Sequence, residues 1–309
     1  MDFPTFANKR IFLTGGTGFF GKSILDCLKR GFLPETEFVV LSRDPERFLR
    51  DFPEYRTLSH VRYVSGDVRD FVFPAERFDF VIHAATPAVT DLPPGEMRSI
   101  ILEGTARVLA FARHCGAERL LFTSSGAVYG PQPEDCTNIP ETLPCRPESE
   151  YGIAKLEAEK LCIASGIPTL IARCFAFIGP RLNRNIHFAA GNFIQNGLDG
   201  VKITIKGDGT PYRSYLYADD LVDWLFALLE RGTPGEAVNI GSPDGITIAD
   251  LARETASHFD PPPEIEILGK PHPGQKTIRY VPDTALAMKK LGVRVTIPLA
   301  EAIEKSIPR

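Results

Sequence analysis

Tyr151 and Lys155 stand four residues apart in Tyr151-Gly152-Ile153-Ala154-Lys155, at the start of a helical pattern. That spacing places both side chains on one helix face, about one turn apart. A phenol with an ordinary pKa of about 10 holds its proton too firmly to act as a base near neutral pH. A neighbouring ammonium favours the phenolate and lowers that value. The pair can therefore take a proton from an alcohol and return it. Ser125 adds a hydroxyl: the run Leu121-Phe122-Thr123-Ser124-Ser125 places it just beyond the end of a predicted strand. There it can hold an alcohol or carbonyl oxygen while Tyr151 moves the proton. Thr123 and Ser124 read as hydroxyls that satisfy backbone groups.

Proton transfer from an alcohol needs a hydride partner, and the N-terminal segment proposes one. Ile11-Phe12-Leu13-Thr14 is a strand-like run, Gly15-Gly16-Thr17-Gly18-Phe19-Phe20-Gly21 a glycine-rich loop, and Ile24, Leu25 and Leu28 recur at helical spacing. Strand, loop and helix in this order bind a pyrophosphate: glycines let the backbone approach it, and the helix N-terminus adds a favourable partial charge. The spacing Gly15-x-x-Gly18-x-x-Gly21 departs from G-x-G-x-x-G. A nicotinamide dinucleotide bound here adds, when oxidised, a positive charge that further favours the Tyr151 phenolate.

These residues need a scaffold, and the chain alternates strand-like and helical runs to build one. Phe38–Leu41, Val61–Val64, Phe80–His83, Leu120–Thr123 and Thr169–Ala172 are predicted strands, with helices over Met97–His114 and Lys155–Ser165. Repeated β-α units with short apolar strands imply an α/β fold with a doubly wound parallel sheet. Ligands gather at the carboxyl ends of such strands. Past Gly179-Pro180 the character shifts. Residues 181–192 read as irregular, with a helix over Phe193–Leu198, a strand over Val201–Ile205, a helix over Leu221–Leu229 and a strand over Ala237–Ile240. Residues 1–180 thus read as a dinucleotide-binding part to which 214–242 return. Residues 181–309 read mainly as a smaller C-terminal α/β substrate-binding part, with the substrate in the cleft between them.

The 309 residues suffice for a large core without staples. A net charge of −4 with no Lys/Arg block argues against a nucleic-acid partner. No apolar run is long enough for a bilayer, and Met1-Asp2-Phe3-Pro4 does not open a signal peptide, so a cytoplasmic protein without membrane contact is expected. The six cysteines form no C-x-x-C pair and read as scattered reduced thiols; no metal site is expected. His83, at a strand end, reads as structural, while His187 and His272 fall in expected substrate loops.

Taken together, Thr14–Gly21, Gly66-Asp67-Val68, His83-Ala84-Ala85, Ser124–Gly130, Tyr151 with Lys155, and Arg213–Asp220 give a chain that resembles the extended short-chain dehydrogenase/reductase family, in its NAD-dependent epimerase/dehydratase branch acting on nucleotide sugars. The resemblance covers essentially the whole chain and implies a Rossmann fold. It also implies Ser125, Tyr151 and Lys155 as the catalytic triad. The cofactor would lie on Gly15, Thr17, Gly18, Phe19 and Phe20, with Asp67 and Val68 at the adenine and Ala84, Ala85 and Thr86 along it, together with Tyr151 and Lys155. Asn192, Phe193 and Arg213 would meet the sugar-nucleotide diphosphate, with Thr86 and Ser125 at the sugar; a guanidinium suits a phosphate. A homodimer through 97–114 and 151–165 is implied as well.

The departures sharpen the expectation. The second strand ends Leu41-Ser42-Arg43, where NAD enzymes of this type usually carry a carboxylate for the ribose 2′-hydroxyl. Serine and arginine welcome a 2′-phosphate, so NADP is expected at Ser42 and Arg43, with NAD the other possibility. Nucleotide-sugar 4,6-dehydratases generally carry an Asp-Glu pair after the catalytic serine; Gly126 and Ala127 cannot transfer a proton. Ala176, Ser214, His272 and Glu103 also break the family pattern. The expected activity is NAD(P)-dependent oxidoreduction of a nucleotide-diphosphate sugar at C4, of epimerase or 4-ketoreductase type. The alternatives are a 4,6-dehydratase and, in a different class, a non-catalytic NADP-binding sensor or scaffold.

Overall fold

A computed structural model describes residues 3–86, 92–93, 95–184, 188–271, 274 and 276–308. The first half of the chain alternates as expected: β1 (Arg10–Thr14), α1 (Phe19–Lys29), β2 (Glu37–Ser42), α2 (Pro45–Asp51), β3 (Val61–Ser65), β4 (Phe80–His83), α3 (Glu96–Cys115), β5 (Arg119–Ser125), α4 (Glu150–Ala164) and β6 (Thr169–Cys174). The second half holds β7 (Phe177–Ile178), α5 (Ala189–Leu198), β8 (Ile203–Ile205), β9 (Tyr212–Arg213), β10 (Leu216–Tyr217), α6 (Ala218–Arg231), β11 (Ala237–Ile240), β12 (Ile246–Thr247), α7 (Ile248–Ala256), β13 (Ile265–Ile267), β14 (Arg279–Tyr280), α8 (Ala285–Leu291) and α9 (Leu299–Ser306).

Among the described residues seven strands form one parallel sheet in the order β11-β6-β5-β4-β1-β2-β3. Alternation along each strand divides its side chains between two cores. Ile11, Leu13, Phe38 and Val40 face a core shared with α1 and α6, while Phe12, Val39 and Leu41 face one shared with α3 and α4. Burial on both faces is why these strands read as near-continuous apolar runs. The chain winds outward from β1 through β2 and β3, then crosses to β4 on the other side. The order therefore reverses between β1 and β4, the place where such sheets open a ligand crevice at their carboxyl ends.

The smaller sheets β12-β9-β14 and β13-β8 pack with α5 and α7 around Ile194, Ile203, Leu251 and Ala252. Two expectations need correction. The helix expected from Phe193 begins at Ala189, because Ala190 and Gly191 are buried on the same face as Phe193 and Ile194. The strand expected from Val201 begins at Ile203; Val201 is half exposed and its N–H closes a turn onto Asn196 instead. No helix among the described residues is long and apolar enough to cross a membrane.

Candidate active site

The carboxyl ends of β1, β4 and β5, with the first turns of α1 and α4, bring the expected residues together. Gly15 lies after β1 with φ +74°, a conformation glycine adopts without strain, and a Cβ there would stand 2.3 Å from the carbonyl oxygen of Ala84. Gly21 packs so closely that a Cβ would meet Gly16 Cα at 2.1 Å. Gly18 is different: a Cβ would touch only the Gly15 carbonyl, at 3.4 Å. It is the N-cap of α1 and offers no side-chain acceptor, so the N–H groups of that first turn face the loop. Close packing at Gly15 and Gly21 with an open helix start at Gly18 is a cradle that fits a dinucleotide pyrophosphate. Thr17, Phe19 and Phe20 line the same turn, with Phe20 edge-on to Phe177 at 5.1 Å.

After β3, where the adenine is expected, Arg69 Nε donates to Asp67 Oδ1 at 2.8 Å and holds the carboxyl below the usual range, while the Arg43 guanidinium also acts on it. Asp67 is thus already paired within the chain. Val68 is buried under Gly104, where a Cβ would stand 2.9 Å from it. Ser42 is buried at the end of β2 and accepts the Asp44 N–H, whereas Arg43 is exposed. Ala84 and Ala85 form the wall opposite Gly15.

Ser125 is the last residue of β5 rather than lying beyond it, because the sheet pairing continues to the register Ser125↔Cys174. Its Oγ accepts the Ala127 N–H at 3.1 Å as the chain turns into a short 3₁₀ segment. Glu150 opens α4 and Ser149 caps it, its Oγ accepting the Gly152 N–H at 3.1 Å, worth about 1 kcal/mol. That cap sets the first turn on which Tyr151 sits. Burial pushes the Tyr151 phenol up to about 12, with Ser125 pulling against it.

Lys155 is fully buried, and burial draws its ammonium down to about 8. Its Nζ donates to Thr86 Oγ1 at 2.7 Å and to the Thr123 carbonyl at 2.8 Å, and lies 4.9 Å from the Phe122 ring centre. The Nζ lies 5.8 Å from the Tyr151 ring centre, and burial rather than this cation sets the phenol, so its pKa is raised where the sequence predicts it lowered. Thr123 Oγ1 donates to the His83 carbonyl, as the backbone-satisfying reading had it. Ser124 does not do so; its Oγ donates to Glu159 Oε1 on α4. Glu159 in turn takes Arg173 Nε at 3.1 Å and Nη2 at 2.8 Å, a buried pair.

His83 lies between Thr14 Oγ1 (2.8 Å from Nδ1) and Thr105 Oγ1 (3.1 Å from Nε2), and burial pushes it down to about 3. It is a neutral structural imidazole. His187 and His272 lie outside the described residues. Among the described residues no group of His, Cys, Asp and Glu could hold a metal ion.

The expected substrate residues spread further. Arg213 on β9 lies with its guanidinium 5.9 Å from the Tyr280 ring. Asn192 is half-buried on α5, whereas the Phe193 side chain is buried in the core of the smaller part. Two site residues escaped sequence reasoning. Cys174 ends β6 beside Ser125, and burial pushes its thiol up to about 12. Tyr280 of β14 brings its hydroxyl over Gly126, the residue after Ser125, where a Cβ would stand 2.7 Å from it. Strand register would have found Cys174; Tyr280 sits on a two-residue strand with no local signal.

The fold and the sequence are shared with known proteins. A family model described as NAD dependent epimerase/dehydratase family matches residues 11–241. The chain is 30% identical over 314 residues to UDP-glucuronic acid decarboxylase 1 of Xenopus tropicalis, covering 97% of this chain and 71% of that protein. Among solved structures it resembles a UDP-galactose 4-epimerase, with TM-score 0.77, 27% identity and coverage of 96% and 97% of the two chains. It also shares the fold of the UDP-N-acetylglucosamine 4-epimerase of Methanobrevibacter ruminantium, with TM-score 0.84, 19% identity and 97% of each chain covered.

Proposed function

The chain belongs to the NAD dependent epimerase/dehydratase family of enzymes, and on that premise we propose that it oxidises or reduces a nucleotide-diphosphate sugar at C4, as an epimerase or 4-ketoreductase. The observation that carries this reading is the meeting of Ser125, Tyr151 and Lys155 at the carboxyl ends of β4 and β5, next to the glycine cradle. Nicotinamide supplies the hydride donor or acceptor there and, when oxidised, a positive charge. Ser125 holds the sugar oxygen. Tyr151, whose proton burial keeps in place, gives that proton to a developing alkoxide or receives it from the hydroxyl. Lys155 fixes the ribose side of the site through the same face that now grips Thr86.

Gly126 and Ala127 carry no proton-transferring group, which weighs against dehydration. We read the cofactor as NADP, because β2 ends in Ser42 and an exposed Arg43, without a carboxylate to repel a 2′-phosphate. A second reading, decarboxylation of a sugar uronate, is supported by the 30% identity to a UDP-glucuronic acid decarboxylase. A 4-keto uronate is a β-keto acid and loses carbon dioxide without the acid–base pair that dehydration needs. The exposed Ile153, Leu161 and Ile163 on α4 support a homodimer.

Incubation of UDP-, dTDP-, CDP- and GDP-sugars with NADP⁺ and NADPH, read by mass spectrometry, tests the reading. An epimerase leaves the mass unchanged and a reductase adds two hydrogens. Loss of carbon dioxide selects the second reading, loss of water restores the dehydratase, and no turnover of any sugar sinks the proposal.

A further inference from the structure

The small sheet β12-β9-β14 divides its residues between two faces. In the register of β9 and β14, Arg213 stands beside Tyr280 and Tyr212 beside Arg279. On the other side of β9, Ile246 of β12 stands beside Arg213 and Thr247 beside Tyr212. Successive side chains along a strand point to opposite faces. Arg213 and Tyr280 therefore share one face, and Tyr212 and Arg279 share the other.

The first face looks into the candidate site. A Cβ on Gly126, the residue after Ser125, would lie 2.7 Å from Tyr280 Oη, and the Arg213 guanidinium lies 5.9 Å from the Tyr280 ring centre. The second face is turned away from it. There the Arg279 guanidinium lies over the Tyr212 ring, 4.0 Å from its centre, beside a cavity of about 410 Å³ lined by Tyr212 and Thr247.

One residue joins the two faces. Arg213 Nη1 donates to the carbonyl oxygen of Tyr212 at 2.8 Å, and the Tyr212 N–H donates to the Ile278 carbonyl at 2.8 Å. The ring that Arg279 covers and the carbonyl that orients Arg213 thus belong to the same residue. β9 and β14 are only two residues long, so the ladder supplies few hydrogen bonds. A guanidinium stacked on a tyrosine is comparable in strength to one such bond, and its loss is felt in so short a pairing. A guanidinium is a planar fork of N–H donors, so fixing Nη1 on Tyr212 also fixes the direction of the others.

We propose that Arg279 is a positioning residue for Arg213: stacked on Tyr212 from the face turned away from the site, it holds the peptide whose carbonyl aims the Arg213 guanidinium at a nucleoside diphosphate. This rests on the reading of Arg213 as the group that meets the sugar-nucleotide diphosphate.

UDP, dTDP, CDP and GDP are titrated calorimetrically into the full chain, with NAD⁺ and NADP⁺ in excess to occupy the glycine cradle, and the tightest binder is carried through the variants. Arg213→Ala is expected to weaken it about thirtyfold. Arg279→Ala is expected to weaken it about fivefold, and to add nothing once Arg213 is gone. Tyr212→Phe keeps a ring under Arg279 and binds as wild type, whereas Tyr212→Leu behaves like Arg279→Ala; this second pair tests the same stack without removing a charge. Wild-type affinity in Arg279→Ala and Tyr212→Leu, even with a lower melting temperature, overturns the proposal. A loss that persists in full when Arg279→Ala is added to Arg213→Ala also overturns it, since that marks plain attraction of the anion by the Arg279 charge. Wild-type affinity in Arg213→Ala, or no binding of any of the four, overturns the diphosphate reading and the proposal with it.

Discussion

Lys155 Nζ sits 2.8 Å from the carbonyl oxygen of Thr123, two residues before Ser125 on the same strand. One hydrogen bond therefore couples the cation of α4 to the strand that presents the serine. It also fills one of the few positions through which this buried ammonium is compensated.

That compensation is incomplete, and the shortfall is measurable as pH-dependent stability. Unfolded lysine keeps its proton to about 10.5, whereas Lys155 in the folded chain loses it from about 8. Between these values the unfolded state binds more protons, so stability rises with pH. The contribution is present above the unfolded value and lost as pH falls through 8. The stability of wild type relative to Lys155→Met is expected to grow by on the order of 3 kcal/mol from pH 7 to above pH 10. Denaturant unfolding at several pH values measures it; a pH-independent difference contradicts the buried-charge account.

Tyr151→Phe removes a single oxygen from the proposed proton path. The expected loss in kcat is about a thousandfold, with the dissociation constant for the dinucleotide changed less than about threefold. Turnover equal to wild type on any active sugar would remove Tyr151 from the chemistry.

Arg43→Ala and Ser42→Asp probe the cofactor. Losing a guanidinium from a 2′-phosphate site, or placing a carboxylate in it, is expected to weaken NADPH about tenfold or more relative to NADH. Fluorescence titration with both dinucleotides reads the ratio. An unchanged ratio means that these two positions do not read the phosphate.

Glu159→Gln on α4 strips the buried Arg173 of its counter-charge. Breaking such a pair leaves a desolvated cation, and a loss of about 3 kcal/mol or more in unfolding free energy is expected. Glu159→Gln/Arg173→Met is expected to lose less than the single change. A fully additive double variant would show the two side chains acting independently.

How much of this was legible in the chain follows from distance along it. Tyr151 and Lys155 share one helix face, and Ser125 ends a strand, so local spacing was enough to put them in one site. The glycine loop was legible because strand, loop and helix are contiguous. α2 carries its own signature, Asp44 accepting from Arg47 N just before Pro45, but its seven residues bury only Phe48 and Leu49, too few for a helical period to show. The start of α5 at Ala189 was hidden by small and polar residues whose burial depends on Ile203 and Leu251 across the smaller part. Tyr280, Cys174 and the pair Glu159–Arg173 are set by contacts between elements far apart in sequence, which no window of neighbouring residues contains.

The seventh strand carries a consequence for how the molecule comes apart. β11 lies at the sheet edge beside β6, yet the chain between those two strands builds β7 to β10, α5 and α6. A cut between β6 and β11 therefore leaves neither fragment with the complete sheet. A protease nick in the segment after β6 leaves its last parallel strand on the other fragment, where it still pairs with β6 and where Asn239 still bonds Tyr129, Ile139 and Glu141. The two fragments are then expected to stay together as a nicked complex in native buffer and to part only on denaturation.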